Sequence, residues 1–455
     1  MSFESTELHP DLLRGIKALG FEKPTPIQTA AIPPAMAGRD LLACAQTGSG
    51  KTAAFLLPIL HQLMDQPRGT TRALVVTPTR ELAAQVAADL QDLARYVPIR
   101  TAAIFGGVNM GPQEKALRHG VDVVVATPGR LLDHLSRPYA NLDHVKYLVL
   151  DEADRMLDMG FLPDIKRIIG QIPAQRQTLL FSATISREIA QLASRMMRDP
   201  VNVELARAGT LAEAVEQSIY PVEQHRKTAL LLDLLKRGEV RDALVFTRTK
   251  RRADSVAKQL SKGGVQAERI HGGRSQGQRT AALSGFKRGR IKVLVATDVA
   301  SRGIDIEALG HVVNYDVPGA PEDYIHRIGR TGRAELTGNA FTFVSLQEEA
   351  DLRNIERVIR RQLPRIRVPG FDHGAVSWGK TANGHGGSNG NGASSGNGHA
   401  PSSNGSSNGN GRAAKANGLG TNGNGAANGA SRESANPVAT KTRNSRLGSR
   451  RGSRR

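Results

Sequence analysis

A glycine-rich stretch, Ala45-Gln46-Thr47-Gly48-Ser49-Gly50-Lys51-Thr52, follows an apolar run at residues 41–45 and precedes a helical pattern. A strand that ends in such a loop and restarts as a helix is half of a βαβ unit. Its glycines let backbone N–H groups converge on phosphate oxygens at a helix N-terminus. Ala45 stands where this pattern usually has its first glycine. Lys51 is placed to reach β and γ phosphates, and the Thr52 hydroxyl to ligate Mg²⁺. The plain alternative is an ordinary glycine turn before a helix.

The alternation continues along the chain. Short β-branched runs at residues 73–77, 121–126, 147–150 and 178–181 are separated by longer amphipathic stretches, the pattern of parallel βαβ units. It pauses at residues 206–214, restarts at 218–222 and runs on through 243–246, 291–296 and 311–315. The expectation is α/β, with two tandem parallel-sheet domains and a cleft between them. It places a lead at residues 1–29, a first domain at 30–205, a linker at 206–214 and a second domain at 215–370. At residues 371–455 the composition turns to Gly, Asn, Ser and Ala with few apolar residues. Such a segment cannot bury enough surface to offset its ordering entropy and is expected to be disordered.

Charge narrows the choice of partner. The formal net charge is +20 and the pI is near 10.5, which points to a polyanion and first to nucleic acid. Residues 371–455 carry 11 Lys and Arg against 2 Asp and Glu, so the preceding chain keeps +11 of that charge. The single cysteine, Cys44, excludes an internal disulfide framework, and no Cys/His cluster has zinc spacing. The N-terminal residues lack a signal peptide's basic and apolar regions, and no apolar run reaches a membrane span. A soluble, cytoplasmic chain is expected.

A second chemical signal falls where the first requires it. The strand at 147–150 ends in Asp151-Glu152-Ala153-Asp154, and the carboxyl ends of parallel strands are where such sheets hold ligands. Asp151 is expected to hold Mg²⁺ through water, and Glu152 to orient and deprotonate an attacking water. Alone, this tetrapeptide could be a solvated acidic helix cap.

These motifs, and others in fixed order across residues 3–367, resemble those of the DEAD-box RNA helicases of superfamily 2. The resemblance implies two RecA-like domains. It also implies that Gln28 reads the adenine edge, that Phe21 stacks on the base, and that Gln46, Thr47, Gly48, Ser49 and Gly50 cradle phosphate. Pro78-Thr79-Arg80-Glu81-Leu82, Gly106-Gly107 and Thr127-Pro128-Gly129-Arg130 are similar to segments that contact the RNA backbone; so, in the second domain, are Arg248, Gln276, Arg279 and Thr297. Backbone contacts of this kind position a strand without reading its sequence. Asp154, Ser182, Thr184 and His326 correspond to residues that couple nucleotide state to unwinding, and Asp305 to one that touches the ribose. Arg330 and Arg333 correspond to arginine fingers for the γ-phosphate. ATP and Mg²⁺ are the implied cofactors, and RNA the implied partner of a catalytic monomer. The short lead and basic tail resemble bacterial members of the RhlE-type subgroup. Two further readings are an ATP-gated RNA clamp or annealing scaffold, which these residues leave open, and a DNA-directed superfamily 2 motor, which should lack the Gln28 segment.

Overall fold

The computed structural model describes residues 2–45, 48–205, 215–298, 309–331 and 338–376. The linker expected at 206–214, Gln46, Thr47, Asp305, Arg333 and residues 377–455 of the expected tail lie outside the described residues.

Seven strands form the first sheet: β1 (Leu41–Cys44), β2 (Ala73–Val76), β3 (Thr101–Ile104), β4 (Val123–Ala126), β5 (Tyr147–Asp151), β6 (Gln177–Ser182) and β7 (Val201–Glu204). Six form the second: β8 (Val215–Pro221), β9 (Ala243–Phe246), β10 (Ala267–Ile270), β11 (Val293–Ala296), β12 (His311–Asn314) and β13 (Gly338–Val344). The strand orders are β3-β4-β2-β5-β6-β1-β7 and β10-β11-β9-β12-β13-β8. Every pairing is parallel. Both sheets lie within one compact unit.

Helices cover both faces of each sheet, which explains the unbroken apolar runs. In β2, Ala73 and Val75 pack on one face with Phe55 and Val86, while Leu74 and Val76 pack on the other with Leu131 and Met156. Successive strand residues point to opposite faces, so a fully apolar strand feeds two cores.

The folded chain extends beyond its expected limit at residue 370. His373 is buried, accepts from the Val368 N–H through Nε2 at 2.9 Å and meets the Pro221 carbonyl through Nδ1 at 2.7 Å. Val376 is buried as well. Composition marks residues 371–376 as tail, but two side chains suffice to dock them.

Candidate active site

The loop after β1 delivers the helix Lys51–Leu63, with Gly50 as its N-cap in the left-handed region at φ 92°. A Cβ there would lie 2.6 Å from Gln28 Nε2 and 2.9 Å from Thr25 Oγ1, so only glycine fits. Gln28 is held from both ends of its amide: Nε2 donates to the Gly50 carbonyl at 3.1 Å, and Oε1 accepts from the Thr25 N–H at 2.9 Å. The buried Lys51 ammonium donates to the Ala45 carbonyl at 3.0 Å. Gly48, Gly50, Lys51 and Thr52 line a cavity of about 530 Å³ with Phe21, Gln28, Asp151, Glu152 and Arg330. That volume lies within the usual range for small-molecule sites. Phe21 stands at the wall with 42% of its surface exposed. Gln85, Asp89 and Asp92, from one face of the helix Arg80–Leu93, also line the cavity. Their helical spacing was visible in the sequence, but nothing there said which face meets the glycine loop.

β5 brings in the carboxylates. Glu152 follows it in the left-handed region (φ 55°, ψ 51°) as N-cap of the helix Ala153–Asp158. That conformation costs a non-glycine residue on the order of 1–3 kcal/mol. Its carboxylate meets Arg155 Nη1 at 2.5 Å, with both side chains under 8% exposed. Burial pushes the Glu152 carboxyl up, but Arg155, Lys51 and Arg330 together outweigh it and hold it below its ordinary value. Asp151 is pushed the other way, from 3.8 to about 6, by burial first; Lys51 only partly offsets this, and Glu152 adds to it. Asp151 Oδ1 is buried and has no hydrogen-bond partner among the described residues.

Burial therefore predicts a stability cost at Asp151. A carboxyl raised in the folded state loses stability as pH climbs from its unfolded value near 4 through its folded value near 6. Two units correspond to about 3 kcal/mol. With neither nucleotide nor divalent cation, Asp151→Asn is expected to be more stable than the parent at pH 7.5, with the gain vanishing below about pH 4. Denaturant unfolding at the two pH values measures it, and an equal difference at both would refute the burial argument.

Asp154 laces β5 to β6. Its Oδ2 accepts from the Ala183 N–H at 3.0 Å, the Thr184 N–H at 2.9 Å and Thr184 Oγ1 at 3.1 Å, while its own N–H donates to Ser182 Oγ at 3.3 Å. The second domain arrives opposite on the helix Pro321–Ile328. His326 lies with Arg155 and Arg330 around a small crevice. Burial first, and then Arg155, lowers its pKa to about 4, which leaves the ring neutral at physiological pH. Arg330 is buried and enters the wall of the main cavity. Asp305 and Arg333 cannot be placed, since both fall outside the described residues.

The expected RNA-contacting segments of the first domain follow β2, β3 and β4, three adjacent strands. Pro78 is buried, and Thr79 caps the helix Arg80–Leu93 by accepting from the Leu82 N–H at 3.2 Å. The Arg80 guanidinium lies over Gly106 and Gly107, where a Cβ on Gly107 would collide with Nη1. Thr127 is the N-cap of the helix Pro128–Leu135, and Arg130 Nη1 donates to the Val108 carbonyl at 3.2 Å.

The second-domain residues have protein partners. Gln276 and Arg279, expected on an RNA surface, clasp Glu81 of the first domain, with Gln276 Nε2 donating at 2.9 Å and Arg279 Nη2 at 2.6 Å. Arg279 and Glu81 are both buried there. Arg248 Nη2 rests on Asp351 and the Val317 carbonyl, each at 2.9 Å. Thr297 is buried, and its N–H donates to the Ile270 carbonyl at 3.3 Å. Arg155 went unrecognised in the sequence, and Glu81 was read there only as part of a segment facing the RNA backbone. Each has the look of an ordinary charge in the first turns of a helix, and Glu81 meets partners nearly 200 residues away.

Known proteins share this arrangement. A family model described as DEAD/DEAH box helicase matches residues 25–192, and one described as helicase conserved C-terminal domain matches residues 226–335. The chain is similar to the ATP-dependent RNA helicase CshA of Listeria monocytogenes, 44% identical over 370 residues that cover 81% of this chain and 71% of that protein. CshA of Bacillus subtilis is 43% identical over 372 residues, covering 82% and 75%. Among solved structures, S. cerevisiae Dbp5 bound to RNA and ADP BeF3 superposes with a TM-score of 0.73 at 33% identity, covering 80% of this chain and 95% of that one. The chain belongs to the DEAD-box family of ATP-dependent RNA helicases. Both bacterial relatives are named CshA, so the RhlE-type subgroup expected from the lead and tail finds no support. Among the described residues, no helix is long and apolar enough to cross a membrane.

Proposed function

We propose that this helicase hydrolyses ATP in the cavity between its two domains, and that closure on RNA completes that site. The observation that carries this reading is that Lys51, Asp151 and Glu152 of the first domain share one cavity with Arg330 of the second. Lys51 and the amides of the glycine loop bind the phosphates, Glu152 takes the proton of the attacking water, and Arg330 meets charge developing on the γ-phosphate. Arg333 and Asp305 are proposed in their family roles at the γ-phosphate and the ribose. Asp154, Ser182, Thr184 and His326 carry the state of the nucleotide across the seam, and the loops of Arg80, Gly107 and Arg130 hold the RNA backbone whatever its sequence.

The unpartnered Asp151 Oδ1, in a cavity that Thr52 also lines, fits a divalent cation. Among the described residues no cluster of three or more His, Cys, Asp or Glu could hold a metal alone. Mg²⁺ would therefore take its other ligands from phosphate and water, and it would supply charge neutralisation between phosphates. A first domain at 30–205, a second that starts at 215 and runs past 370, a monomeric catalytic unit and a cytoplasmic location belong to the same reading. Release of short RNA duplexes, but not DNA duplexes, in the presence of ATP tests it; ATP-dependent RNA retention without strand release would contradict it.

Adenine preference is assigned to Gln28, whose amide matches the donor and acceptor of the adenine edge. RNA-stimulated hydrolysis is expected to favour ATP over GTP by more than about tenfold, and Gln28→Ala to erase most of that ratio. An unchanged ratio would place base recognition elsewhere.

The basic tail is proposed as an RNA tether. Deleting residues 384–455 is expected to leave the RNA-saturated ATPase rate unchanged but to raise the RNA concentration needed to reach it. The salt slope should become shallower by about 0.7 for each phosphate that the tail had neutralised. An unchanged slope would remove the tether.

A further inference from the structure

Charge is unevenly spread over the two domains. Residues 236–292 hold 16 Lys and Arg against 4 Asp and Glu, while the rest of residues 1–370 holds 35 against 36. The excess within the folded part of the chain therefore belongs to one stretch of the second domain. That stretch contains β9, β10 and β11, the three strands at one end of its sheet, with β10 at the edge.

The placement is directional. The helix Lys250–Lys262 begins beside the cleft, just after Arg248, and runs back along the sheet to the opposite strand ends, about 20 Å away. Its exposed basic residues are Lys250, Arg251, Lys258 and Lys262, which at 100° per residue share an arc of about 120°. The helix Gln276–Lys287 packs on the opposite face of the same sheet and ends at the same rim, where the exposed Lys287, Arg288 and Arg290 follow. Backbone bonds hold these strand starts side by side, with the Ala243 N–H donating to the Lys292 carbonyl at 3.0 Å and the Lys292 N–H to the Gln266 carbonyl at 2.8 Å.

Few of the charges on this rim are paired. Lys292 is held by Asp242 at 3.2 Å, much as at the equivalent rim of the first sheet Arg68 lies 3.6 Å from Asp122, Arg95 3.5 Å from Asp92 and Arg118 2.8 Å from Glu114. Lys258, Lys262, Lys287, Arg288 and Arg290 make no ion pair among the described residues. The helix dipole explains Lys262 and Lys287, which sit in last turns, but not Arg288, Arg290 or the stripe along the helix. Unpaired like charges held at fixed spacing repel one another and are relieved by a polyanion.

We propose that this stripe and rim form a second RNA-docking surface, which takes the phosphate backbone of RNA extending from the cleft around the outer flank of the second domain. The inference rests on the helicase reading only for its choice of RNA as the polyanion. Its contacts are to phosphate, so it adds affinity for long RNA without reading sequence.

The test uses the full chain carrying Lys258→Glu, Lys262→Glu, Arg288→Glu and Arg290→Glu together, and a companion with Gln at the same four positions. Binding is measured against a single strand of about ten nucleotides, enough for the cleft, and against a hairpin RNA of about 40 nucleotides. Both measurements are made with a non-hydrolysable ATP analogue. The expected result is an unchanged short-strand affinity and RNA-saturated ATPase rate, with hairpin affinity at least about tenfold weaker near 50 mM salt. The salt slope for the hairpin should flatten by about 3, one unit or slightly less for each phosphate that the four side chains had neutralised. The Gln chain should show the same pattern in smaller measure, which separates weakened attraction from damage by reversed charge. Equal losses on both RNAs would overturn the proposal, as would no loss on the hairpin; if binding of polyglutamate fell instead, the rim would belong to an acidic protein. Failure of the parent chain to bind the short strand with the analogue would strike the cleft reading, not the rim.

Discussion

Replacing Glu152 by Gln is expected to lower RNA-stimulated ATP hydrolysis by about 10²–10⁴-fold while leaving nucleotide and RNA binding in place. Gln keeps the length of the side chain and can still accept from Arg155, but it cannot take a proton. The choice of substitution matters because Glu152 and Arg155 form a buried ion pair at 2.5 Å. Glu152→Ala would strand the Arg155 cation and cost about 3–5 kcal/mol of stability, so lost activity there would be uninterpretable. Glu152→Gln also removes the charge that the neighbouring cations hold ionised below the ordinary carboxylate range. Steady-state turnover with equilibrium nucleotide titration measures both quantities. A parent-like rate in Glu152→Gln would show that another group activates the water.

Arg330→Ala is expected to reduce the RNA-stimulated rate by about 10³–10⁵-fold, with a change in ATP affinity smaller than about tenfold. The asymmetry follows from geometry, since Arg330 lines the cavity from the second domain whereas Lys51 lines it from the loop that binds the phosphates. Lys51→Ala should accordingly fail at nucleotide binding itself. Equal losses of rate and affinity in Arg330→Ala would indicate a static binding role and would argue against completion of the site by closure.

What could be read from the sequence depended on how local each signal was. The glycine loop and the carboxylates after β5 declare themselves because their chemistry is fixed by a few consecutive residues at a strand end. The expected strands at 243–246 and 147–150 match observed elements because both faces of β9 and β5 are covered, which leaves an apolar run. β3, β7, β10 and β13 were not anticipated. The first three are edge strands, and sequences such as Val201-Asn-Val-Glu204 have one exposed face and no apolar run to mark them; β13 lies inside its sheet, but its Gly338-Asn339 start and Thr342 interrupt the apolar run. The contact of Glu81 with Gln276 and Arg279 was invisible for a different reason: no periodicity or spacing relates positions so far apart. Arg248, Gln276 and Arg279 show the complement: nothing local marks the acid, contributed from elsewhere in the fold, that each of them meets.

The cavity wall that joins Glu152 to Arg330 has a thermodynamic corollary. A ligand seated across such a seam is also an effector of it, because it can favour closure only by binding the closed form more tightly than the open one. An RNA strand that binds the closed form more tightly than the open one acts on the same equilibrium. Linkage then fixes a symmetry: the factor by which ATP tightens RNA must equal the factor by which RNA tightens ATP. Two independent titrations, each repeated with the other ligand saturating, are thereby bound to return a single number.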